Sequence, residues 1–429
     1  METTLSGSDA FCDLTKKAAK NLAARFGTPI YLFSKQALLE RYRELKNVLQ
    51  RHYPRSQIAY PYKTNPLRGL VTLLHREGAW AEVASEYEYA LSKDLSVPGD
   101  QIVYNGPHKP DHMLAQAALD GACINVDHFD ELARLESVAR QIGKILPVGI
   151  RIHIVNDAES WHRFGFSWVN GDALEVAGWI HHSPHLRLAG VHAHIGTNVR
   201  NLRRFTRLGQ VLNEFARTVY QRFGIVMDWI NVGGGLAGIS PCWSETDILR
   251  HPAPDIEAYV MSILSVLVKE LPHEGIMPQI FFESGRTLLE PAGALLTQVV
   301  GTRKTSQNGN AYIINGGLNA LPTARKYRHP IRAFNVNNGA CVTSAIYGPL
   351  CLQADTLSID ALLPKLKIDD LLLFDGVGAY NVSRAIPFIQ LRPGAVLWCG
   401  GNKAEWLRLP ETLEYNQELE RIPAHCMKP

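Results

Sequence analysis

A lysine stands at the end of an apolar segment in the stretch Ala59–Pro66, which reads AYPYKTNP. Residues 58–62 have the apolar and aromatic composition of a strand, and the Thr-Asn-Pro that follows interrupts it. Lys63 is therefore predicted at the C-terminal tip of a strand. One explanation is a lysine that extends its amine into solvent. The other is a lysine that forms a Schiff base with a carbonyl cofactor at the mouth of a barrel.

Residues with useful chemistry also follow other apolar segments, which we predict to be the second, fifth, sixth, seventh and eighth strands of a barrel. Because a parallel barrel builds its active site at the C-terminal ends of its strands, these residues test the Schiff-base interpretation of Lys63. In chain order they are Glu82, Arg151, His194, Thr197, Gly233, Gly234, Gly235, Glu283, Gly285 and Arg286.

The consecutive glycines and Arg286 indicate a phosphate site. Gly233–Gly235 could be no more than a flexible turn. They follow a strand directly, however, where bare backbone N–H groups can approach a phosphate, and barrels often bind phosphate beyond strands seven and eight. Arg286 can add a bidentate guanidinium to the same anion. Together these features favour a ligand that carries a phosphate group.

His194 and Glu283 indicate a planar ring. A lone histidine usually belongs to the core or to a turn, and Glu283 could simply pair with Arg286. At strand ends that face a pocket, the imidazole could instead stack on a planar cofactor, and the carboxylate could hold a proton on a ring nitrogen. A lysine for an aldehyde, an acid for a ring nitrogen and an arginine with glycines for a phosphate describe pyridoxal phosphate.

The elements that would position these residues alternate between strands and helices. Such alternation implies parallel strands joined by crossovers. About eight strands over roughly 250 residues indicate a (β/α)8 barrel of the TIM type, in the α/β class. The predicted strands are 58–62, 79–84, 101–104, 123–126, 146–154, 186–195, 229–232 and 279–282, with helical periodicity between them.

Past residue 293 the pattern changes to strand-like segments separated by Gly, Asn and Pro. This texture predicts an antiparallel β-sandwich or β-barrel domain. We therefore predict three parts of the chain. Residues 1–34 form an N-terminal segment that contributes a strand to the β domain, residues 35–293 form the cofactor-binding barrel, and residues 294–429 form the C-terminal β domain.

Composition argues against several other classes of protein. The 429 residues have a net charge of +3 with interleaved signs, so there is no basic stripe for nucleic acid. The 7 cysteines include no CxxC pair, which indicates neither a disulfide framework nor a zinc site. No run approaches the ~20 apolar residues of a membrane span, and the N-terminus lacks a signal-peptide core. We expect a cytoplasmic protein that acts on a small molecule, without metal, membrane or nucleic acid.

Six of these segments resemble motifs of the pyridoxal-phosphate decarboxylases of the alanine-racemase-like fold, which include diaminopimelate and ornithine decarboxylases. The similarity extends over about residues 29–393 and implies that the residues named above hold pyridoxal phosphate. The segments are 62–65, like the cofactor-lysine motif; 82–88, like Asp-x-x-Ser-x-x-Glu with Glu82 for the aspartate; 162–165, like the loop after strand five; 194–197, like the segment of the ring-stacking histidine; 231–235, like the phosphate-binding turn; and 283–286, like Glu-Pro-Gly-Arg.

Two motifs of the predicted β domain belong to the same resemblance. Residues 348–351 look like the family's Gly-Pro-x-Cys, whose cysteine enters the active site of the partner subunit. Residues 378–380 look like the Gly-Ala-Tyr that places a tyrosine, here Tyr380, near the cofactor. The resemblance thus implies a homodimer with shared active sites, in which Lys63, His194 and Cys351 are catalytic. Without it, Cys351 would be interpreted as a small buried hydrophobe.

The substrate-binding part of the pattern departs from the family. Leu352 follows the cysteine where the family usually has Asp or Glu, and residues 388–390 replace Phe-Asn-Gly. The arginine expected after residues 311–314 is not in register, and Arg325 and Arg328 are the candidates to replace it. These departures favour an α-decarboxylase for a modified, conjugated or carrier-linked amino acid, in siderophore or other secondary-metabolite biosynthesis.

Three alternatives stay open. The first is a diaminopimelate decarboxylase of lysine biosynthesis. The second is an amino-acid racemase on the same fold, which needs a second acid or base at the α-carbon; the Gly-Pro-x-Cys motif favours the decarboxylase over it. The third is a non-catalytic regulator that binds a decarboxylase subunit, which the retained cofactor residues disfavour.

Overall fold

The computed structural model describes residues 9–154, 163–243, 253–305, 309–334 and 340–426. The chain divides into two compact units, which we call the β unit and the barrel unit. The β unit consists of Met1–Ala37, Ser240–Thr246 and Glu290–Pro429, and the barrel unit consists of Leu38–Ile239 and Asp247–Leu289. The three-part division at residues 34 and 293 stays a prediction.

The barrel unit is built on parallel strands that close into a barrel, which confirms the predicted fold class. Each strand pairs with its neighbours in chain order, and the last strand pairs with the first. We number them barrel strands 1 to 8: Ser56–Pro61, Trp80–Val83, Ile102–Tyr104, Cys123–Val126, Leu146–His153, Leu186–His192, Trp229–Asn231 and Gln279–Phe282.

Helices connect the barrel strands because apolar residues recur on one face of each connecting segment. In Leu202–Phe223, for example, Phe205, Leu208, Leu212 and Phe215 are all buried. The helices are Lys35–His52 before strand 1, then Arg68–Arg76, Glu86–Asp94, Asp111–Asp120, Phe129–Ile142, Asp172–His182, Leu202–Phe223, Ile256–Leu267 and Arg286–Leu289, one after each strand.

Barrel strand 6 ends earlier than its apolar pattern predicts. It stops at His192 rather than at residue 195, and the loop beyond it includes Gly196 with φ of 131°. The chain bends here because Gly196 adopts a positive φ that other residues disfavour. His194 consequently lies in the loop beyond the strand. A two-residue strand, Phe166–Ser167, pairs with the end of strand 5.

The β unit contains a 9-stranded sheet with mixed rather than wholly antiparallel pairing. The predicted N-terminal strand, Ile30–Ser34, pairs in parallel with Gly394–Trp398, and Asn310–Ile314 pairs in parallel with Val342–Tyr347. Composition alone predicted antiparallel pairs, since it does not report which distant segments become neighbours. The remaining strands are Gly293–Lys304, Ile331–Ala333, Thr356–Leu363, Leu371–Phe374 and Ala404–Arg408.

One face of this sheet is covered by the helix Lys16–Phe26. Its apolar residues Ala19, Leu22 and Phe26 belong to one buried cluster with residues of the central strands, and Phe11 stacks on Trp398 with ring centroids 5.4 Å apart. A short helix, Leu413–Gln417, follows the sheet. Among the described residues, no helix is long and apolar enough to cross a membrane.

Candidate active site

Lys63 lies directly after barrel strand 1, in the 3₁₀ turn Tyr62–Thr64. Its Nζ forms an ion pair and a hydrogen bond with Glu82 Oε2, at the end of strand 2. The side chain of Glu82 is 0% exposed, whereas that of Lys63 is 42% exposed. Burial raises the pKa of Glu82, although the charge of Lys63 opposes this change. The amine is thus anchored on a buried acid while it stays accessible.

Glu283, which follows barrel strand 8, is the centre of a second buried group. Its Oε1 accepts hydrogen bonds from Asn105 Nδ2 at 2.6 Å and Asn231 Nδ2 at 2.8 Å, and His192 Nε2 lies 3.6 Å away. Burial alone would raise the pKa of Glu283, but its interactions with His192 and the charge of Lys63 outweigh burial and lower the pKa well below its usual range. Glu283 is therefore an ionised carboxylate in a buried position.

Asn105 was not singled out by the sequence analysis, and Asn231 entered it only as the first residue of the segment 231–235. Asn105 Nδ2 also donates to Glu82 Oε1 at 2.9 Å, so one amide group joins the two carboxylates. Both asparagines are buried, and each stands at the end of a barrel strand. The strand-end rule that singled out Glu82 and Glu283 also applies to them. Uncharged amides, however, carried no signal of their own.

His194 is held as a neutral imidazole. Its Nδ1 accepts a hydrogen bond from the backbone N–H of Gly234 at 3.0 Å. Burial and the nearby positive charge of Arg151 lower the pKa of His194 to about 3. The ring is therefore uncharged at neutral pH, which suits an aromatic contact better than an ionic one.

The glycine turn after barrel strand 7 is required for packing as well as for any ligand. A Cβ on Gly233 would lie 2.5 Å from Ala193 O, and one on Gly234 would lie 2.2 Å from Glu283 O. Gly233 N–H donates to Asn231 Oδ1 at 2.8 Å, which bends the chain immediately after the strand. Gly235 has φ of 99°, a conformation that other residues disfavour. Only glycines bring this backbone so close to strands 6 and 8.

The ends of barrel strands 8 and 1 are in close contact. A Cβ on Gly285 would lie 2.1 Å from Thr64 Oγ1 and 2.8 Å from Pro61 Cγ, so Gly285 allows the two turns to meet beside Lys63. Arg286 is buried at the start of the short helix that follows. Thr197 is half-buried in the loop after strand 6.

Arg151 forms a buried ion pair with Asp127, which is itself held by Glu131. Its guanidinium Nη1 lies 3.7 Å from Asp127 Oδ1, and its Cζ lies 4.5 Å from the centre of the Phe164 ring. Glu131 Oε2 accepts from the backbone N–H of Asp127 at 2.7 Å, and Glu131 Oε1 pairs with the fully buried Lys109 at 2.8 Å. Burial lowers the pKa of Arg151. This arrangement fixes a guanidinium near His194.

The predicted residues of the β unit lie in two ordered segments. The loop 348–355 is folded around the buried carboxylate of Asp355, which accepts from the backbone N–H groups of Leu318 at 2.7 Å and Leu350 at 2.8 Å. This loop leaves Cys351 exposed. Tyr380 has φ of 60° and is half-buried. Asn381 beside it donates to Val377 O at 2.9 Å and accepts from the Thr323 hydroxyl.

The departures from the family pattern are visible in the same unit. Leu352 is 39% exposed and Ile389 is 53% exposed. Arg328 pairs with Asp360 at 2.7 Å and its Cζ lies 4.6 Å from the centre of the Trp243 ring. Arg325 is exposed. Neither arginine is therefore distinguished as the missing one.

The structure brings several of the predicted residues together within the barrel unit. Direct contacts connect Lys63 with Glu82, Glu82 with Glu283 through Asn105, and Gly234 with His194. The roles of all the predicted residues, including Cys351 and Tyr380, stay predictions. His162, from the segment 162–165, lies outside the described residues.

The donors present fit pyridoxal phosphate. An accessible amine can take the aldehyde, a carboxylate that stays ionised can hold a protonated ring nitrogen, and a buried arginine together with a glycine turn can take a phosphate. A Cβ on any of the three glycines would clash, so the turn carries no side chain of its own, and the N–H groups of Gly233 and Gly234 donate to Asn231 Oδ1 and His194 Nδ1. These features define a pyridoxal-phosphate enzyme on a (β/α)8 barrel.

The chain belongs to the pyridoxal-dependent decarboxylases. Residues 36–290 match the family model described as "Pyridoxal-dependent decarboxylase, pyridoxal binding domain". The matched segment is more than half of the chain and includes the predicted cofactor residues of the barrel unit. The protein is therefore a pyridoxal-phosphate-dependent carboxy-lyase that acts on an amino acid.

Similar proteins extend the match to almost the whole chain. The diaminopimelate decarboxylase of Zymomonas mobilis is 27% identical over 404 residues, which cover 92% of each protein. That of Synechocystis sp. is 29% identical over 401 residues, covering 88% of this chain and 83% of the relative. The crystal structure of diaminopimelate decarboxylase from M. jannaschii in complex with L-lysine has a TM-score of 0.87 and 26% identity, covering 96% of this chain and 95% of that one.

Proposed function

We propose that this decarboxylase removes one α-carboxylate from diaminopimelate and releases carbon dioxide and lysine. The observation that supports this substrate is the similarity to diaminopimelate decarboxylases over both units. Loss of one carboxylate from diaminopimelate leaves lysine, and the similar crystal structures include complexes with L-lysine. The proposal replaces the conjugated substrate that the departures in the sequence favoured.

The barrel residues have distinct roles in this proposal. Pyridoxal phosphate, when bound, supplies the electron sink for the electron pair that remains as carbon dioxide departs. Lys63 holds its carbonyl carbon, and Glu82 orients the amine of Lys63. Glu283 keeps a proton on the ring nitrogen because its own pKa is low. His194, uncharged at neutral pH, presents its ring to the cofactor ring.

The charge of the phosphate is balanced by groups at the edge of the site. Arg286 and the turn Gly233–Gly235 bind the phosphate oxygens, with Arg151, Thr197 and Gly285 as further contacts. Arg286 is buried, so its charge is poorly screened by water and attracts the anion strongly.

Cys351 of a second copy returns the proton to the α-carbon, with Lys63 as its partner in this step. This assignment requires a homodimer in which the β unit of one copy completes the site of the other; Tyr380 then lies near the cofactor. Two observations support it: Cys351 is exposed, and the loop that presents it is fixed around Asp355.

Mixing inactive variants tests the shared site. Lys63→Ala and Cys351→Ala are each expected to be inactive, and together they should recover about one quarter of the wild-type activity, because half of the dimers are mixed and each has one intact site. A mixture of Lys63→Ala and His194→Ala is the control, since both residues come from one barrel and no intact site can form. Recovery in the control, or none in the first mixture, contradicts the assignment.

A second candidate is an amino acid whose distal end is conjugated, for example to citrate or to a carrier. The observation in its favour is that exposed apolar side chains stand where the family usually has charged or polar residues that bind the substrate. Leu352, which is exposed, stands where the family usually has an acid, and Ile386, Phe388, Ile389 and Leu391 are exposed in the loop 386–391. An apolar surface does not pair with the free ammonium and carboxylate at the far end of diaminopimelate.

Carbon dioxide release over a panel of substrates distinguishes the two candidates. The panel contains diaminopimelate, lysine, ornithine and an Nε-citryl lysine. We expect kcat/KM for diaminopimelate to exceed the others by at least about tenfold. A preference for the conjugated lysine supports the second candidate, and no release from diaminopimelate contradicts the first.

Leu352→Glu sharpens this comparison. If the natural substrate is conjugated, the restored acid should increase kcat/KM for diaminopimelate about tenfold or more, because it pairs with the distal ammonium. If diaminopimelate is already the substrate, other residues bind its distal ammonium, and the variant should not increase kcat/KM for diaminopimelate. Leu352→Gln has a similar shape without the charge and serves as the control.

A further inference from the structure

Asn105 donates to two carboxylates that are proposed to act at opposite ends of the cofactor. Its Nδ2 lies 2.9 Å from Glu82 Oε1 and 2.6 Å from Glu283 Oε1. Glu82 contacts Lys63, and Glu283 is the candidate partner of the ring nitrogen. Asn105 is 4% exposed, so water does not substitute for these bonds. The spacing of the two acids therefore depends on the direction in which a single amide points.

That direction is determined by a chain of hydrogen bonds through the barrel interior. Asn105 Oδ1 accepts from Asn125 Nδ2 at 2.9 Å, and Asn125 Oδ1 accepts from the indole Nε1 of Trp229 at 3.5 Å. An indole N–H can only donate, so Asn125 must turn its oxygen toward Trp229 and its NH₂ toward Asn105. Asn105 must then accept from Asn125 with its oxygen and direct its own NH₂ at the carboxylates.

Two glycines leave space for the side chains that form these hydrogen bonds. A Cβ on Gly149 of barrel strand 5 would lie 2.2 Å from Asn125 Oδ1, and one on Gly190 of strand 6 would lie 2.1 Å from Trp229 Nε1. Any other residue at either position would displace the indole or the amide. The indole thus occupies space that the two strands leave open, at a fixed place within the barrel.

We propose that Trp229, Asn125 and Asn105 form a relay in which the indole orients two amides, making Asn105 the positioning residue that holds Glu82 and Glu283 in register with the cofactor. Trp229 acts at a distance, since it touches neither acid directly in this relay. The inference rests on the cofactor site of the proposed function but not on which amino acid is decarboxylated.

The visible absorbance of the holoenzyme, followed as a function of pH, is the test. Trp229→Phe removes the N–H and keeps an aromatic ring, and Asn105→Ala removes the donor itself. A hydrogen bond to a charged group corresponds to about one to two pH units. We expect Asn105→Ala to shift the midpoint of the absorbance change by that amount, and Trp229→Phe to shift it in the same direction by less.

The double variant Asn105→Ala with Trp229→Phe tests whether the two act through one chain. We expect it to match Asn105→Ala alone, because without the Asn105 amide the orientation of Asn125 by the indole no longer reaches the two carboxylates. Trp80→Phe is the matched control, since Trp80 packs against the same interior cluster and its loss should not move the midpoint.

Two results would overturn the relay. One is a Trp229→Phe midpoint equal to that of wild type and Trp80→Phe; the other is additive shifts in the double variant. If Asn105→Ala fails to retain the cofactor, the comparison of Trp229→Phe with Trp80→Phe decides alone. The absorbance readout needs no substrate, so a wrong choice of amino acid in the proposed function leaves this test intact.

Discussion

At the strand ends of the barrel unit, polar side chains are buried and paired, whereas the loops 348–355 and 386–391 of the β unit expose apolar ones. Glu82 and Glu283 each have identified partners within 3 Å. Leu352 and Ile389, by contrast, are 39% and 53% exposed. Buried polar groups must be satisfied by specific partners, but exposed apolar ones carry no such constraint.

This difference distinguishes the predicted cofactor site of the barrel unit from the predicted substrate-binding motifs of the β unit. The barrel unit contains most of the residues that we predict to hold the cofactor, and contacts within that unit fix several of them. The predicted substrate-binding motifs of the β unit are held in shape by Asp355 and Asn381, yet Cys351 and Leu352 within them are exposed and are not fixed by burial. Substitutions at buried, paired groups should therefore remove function, while substitutions in the loops should tune it. The following predictions test that rule.

Loss of Lys63 should have the largest effect. Lys63→Ala is expected to lower kcat by on the order of 10³-fold or more and to remove the visible absorbance that depends on cofactor attachment. Lys93→Ala is a close control, because the Lys93 side chain is 41% exposed and also pairs with a carboxylate, at 3.1 Å. Normal decarboxylation by Lys63→Ala would contradict the assignment of the site.

Asp375 is a buried acid of the β unit. Unlike the pKa of Glu283, its pKa is not lowered by nearby positive groups enough to outweigh burial. Burial raises its pKa from 3.8 to about 7, and Arg332 offsets only part of this change. Between these pH values the folded state binds more protons than the unfolded chain. The stability that the protonated acid contributes is therefore fully present below pH 3.8 and is lost as the pH rises to about 7.

Replacing this carboxyl should remove that pH dependence. Asp375→Asn is expected to increase the free energy of unfolding at pH 8 by about 2–4 kcal/mol relative to its effect at pH 4. Urea unfolding at the two pH values measures the difference. Asp13→Asn, at an exposed position of the same unit, should show no such change. An equal effect of Asp375→Asn at both pH values would contradict the raised pKa of this acid.

Gly234 tests how tightly the glycine turn is packed. Gly234→Ala should lower the free energy of unfolding by about 1–3 kcal/mol, because the new Cβ would lie 2.2 Å from Glu283 O. It should also weaken cofactor binding, since Glu283 would have to move. Gly178→Ala, in the helix Asp172–His182 with its nearest neighbour at 3.6 Å, should instead be neutral or stabilising by up to about 1 kcal/mol.

Substitution of Ile389 should have the smallest effect on the free energy of unfolding, and it should raise this free energy, whereas Gly234→Ala lowers it. It is a β-branched residue with φ of 61°, in a turn closed by a hydrogen bond from Gln390 N to Phe388 O at 2.6 Å. Asn tolerates this conformation better, so Ile389→Asn should increase the free energy of unfolding by about 1 kcal/mol. Ile386→Asn, also exposed, is the control. A loss of stability in Ile389→Asn would mean that the isoleucine side chain makes contacts of its own.

The barrel could be predicted from the sequence because its signal is local. Each strand is a short apolar run followed by a turn, and barrel strand 8 was predicted to the residue. The charged groups at strand ends were found by the same logic. Asn105 was not, because its importance depends on Glu283, which lies 178 residues further along the chain. The parallel pairing of Ile30–Ser34 with Gly394–Trp398 was missed for the same physical reason: no local pattern reports a distant partner.

The close contact of Gly285 with Thr64 has a consequence for the order in which the protein becomes active during synthesis. Lys63 emerges from the ribosome well before the strand that closes the barrel beside it, Gln279–Phe282. Until then Glu82 has no Glu283 to share Asn105 with, and the turn that bears Lys63 has no Gly285 to pack against. The cofactor can therefore be held only after the barrel has closed, so a nascent or truncated chain that ends before residue 279 should carry the lysine without the site.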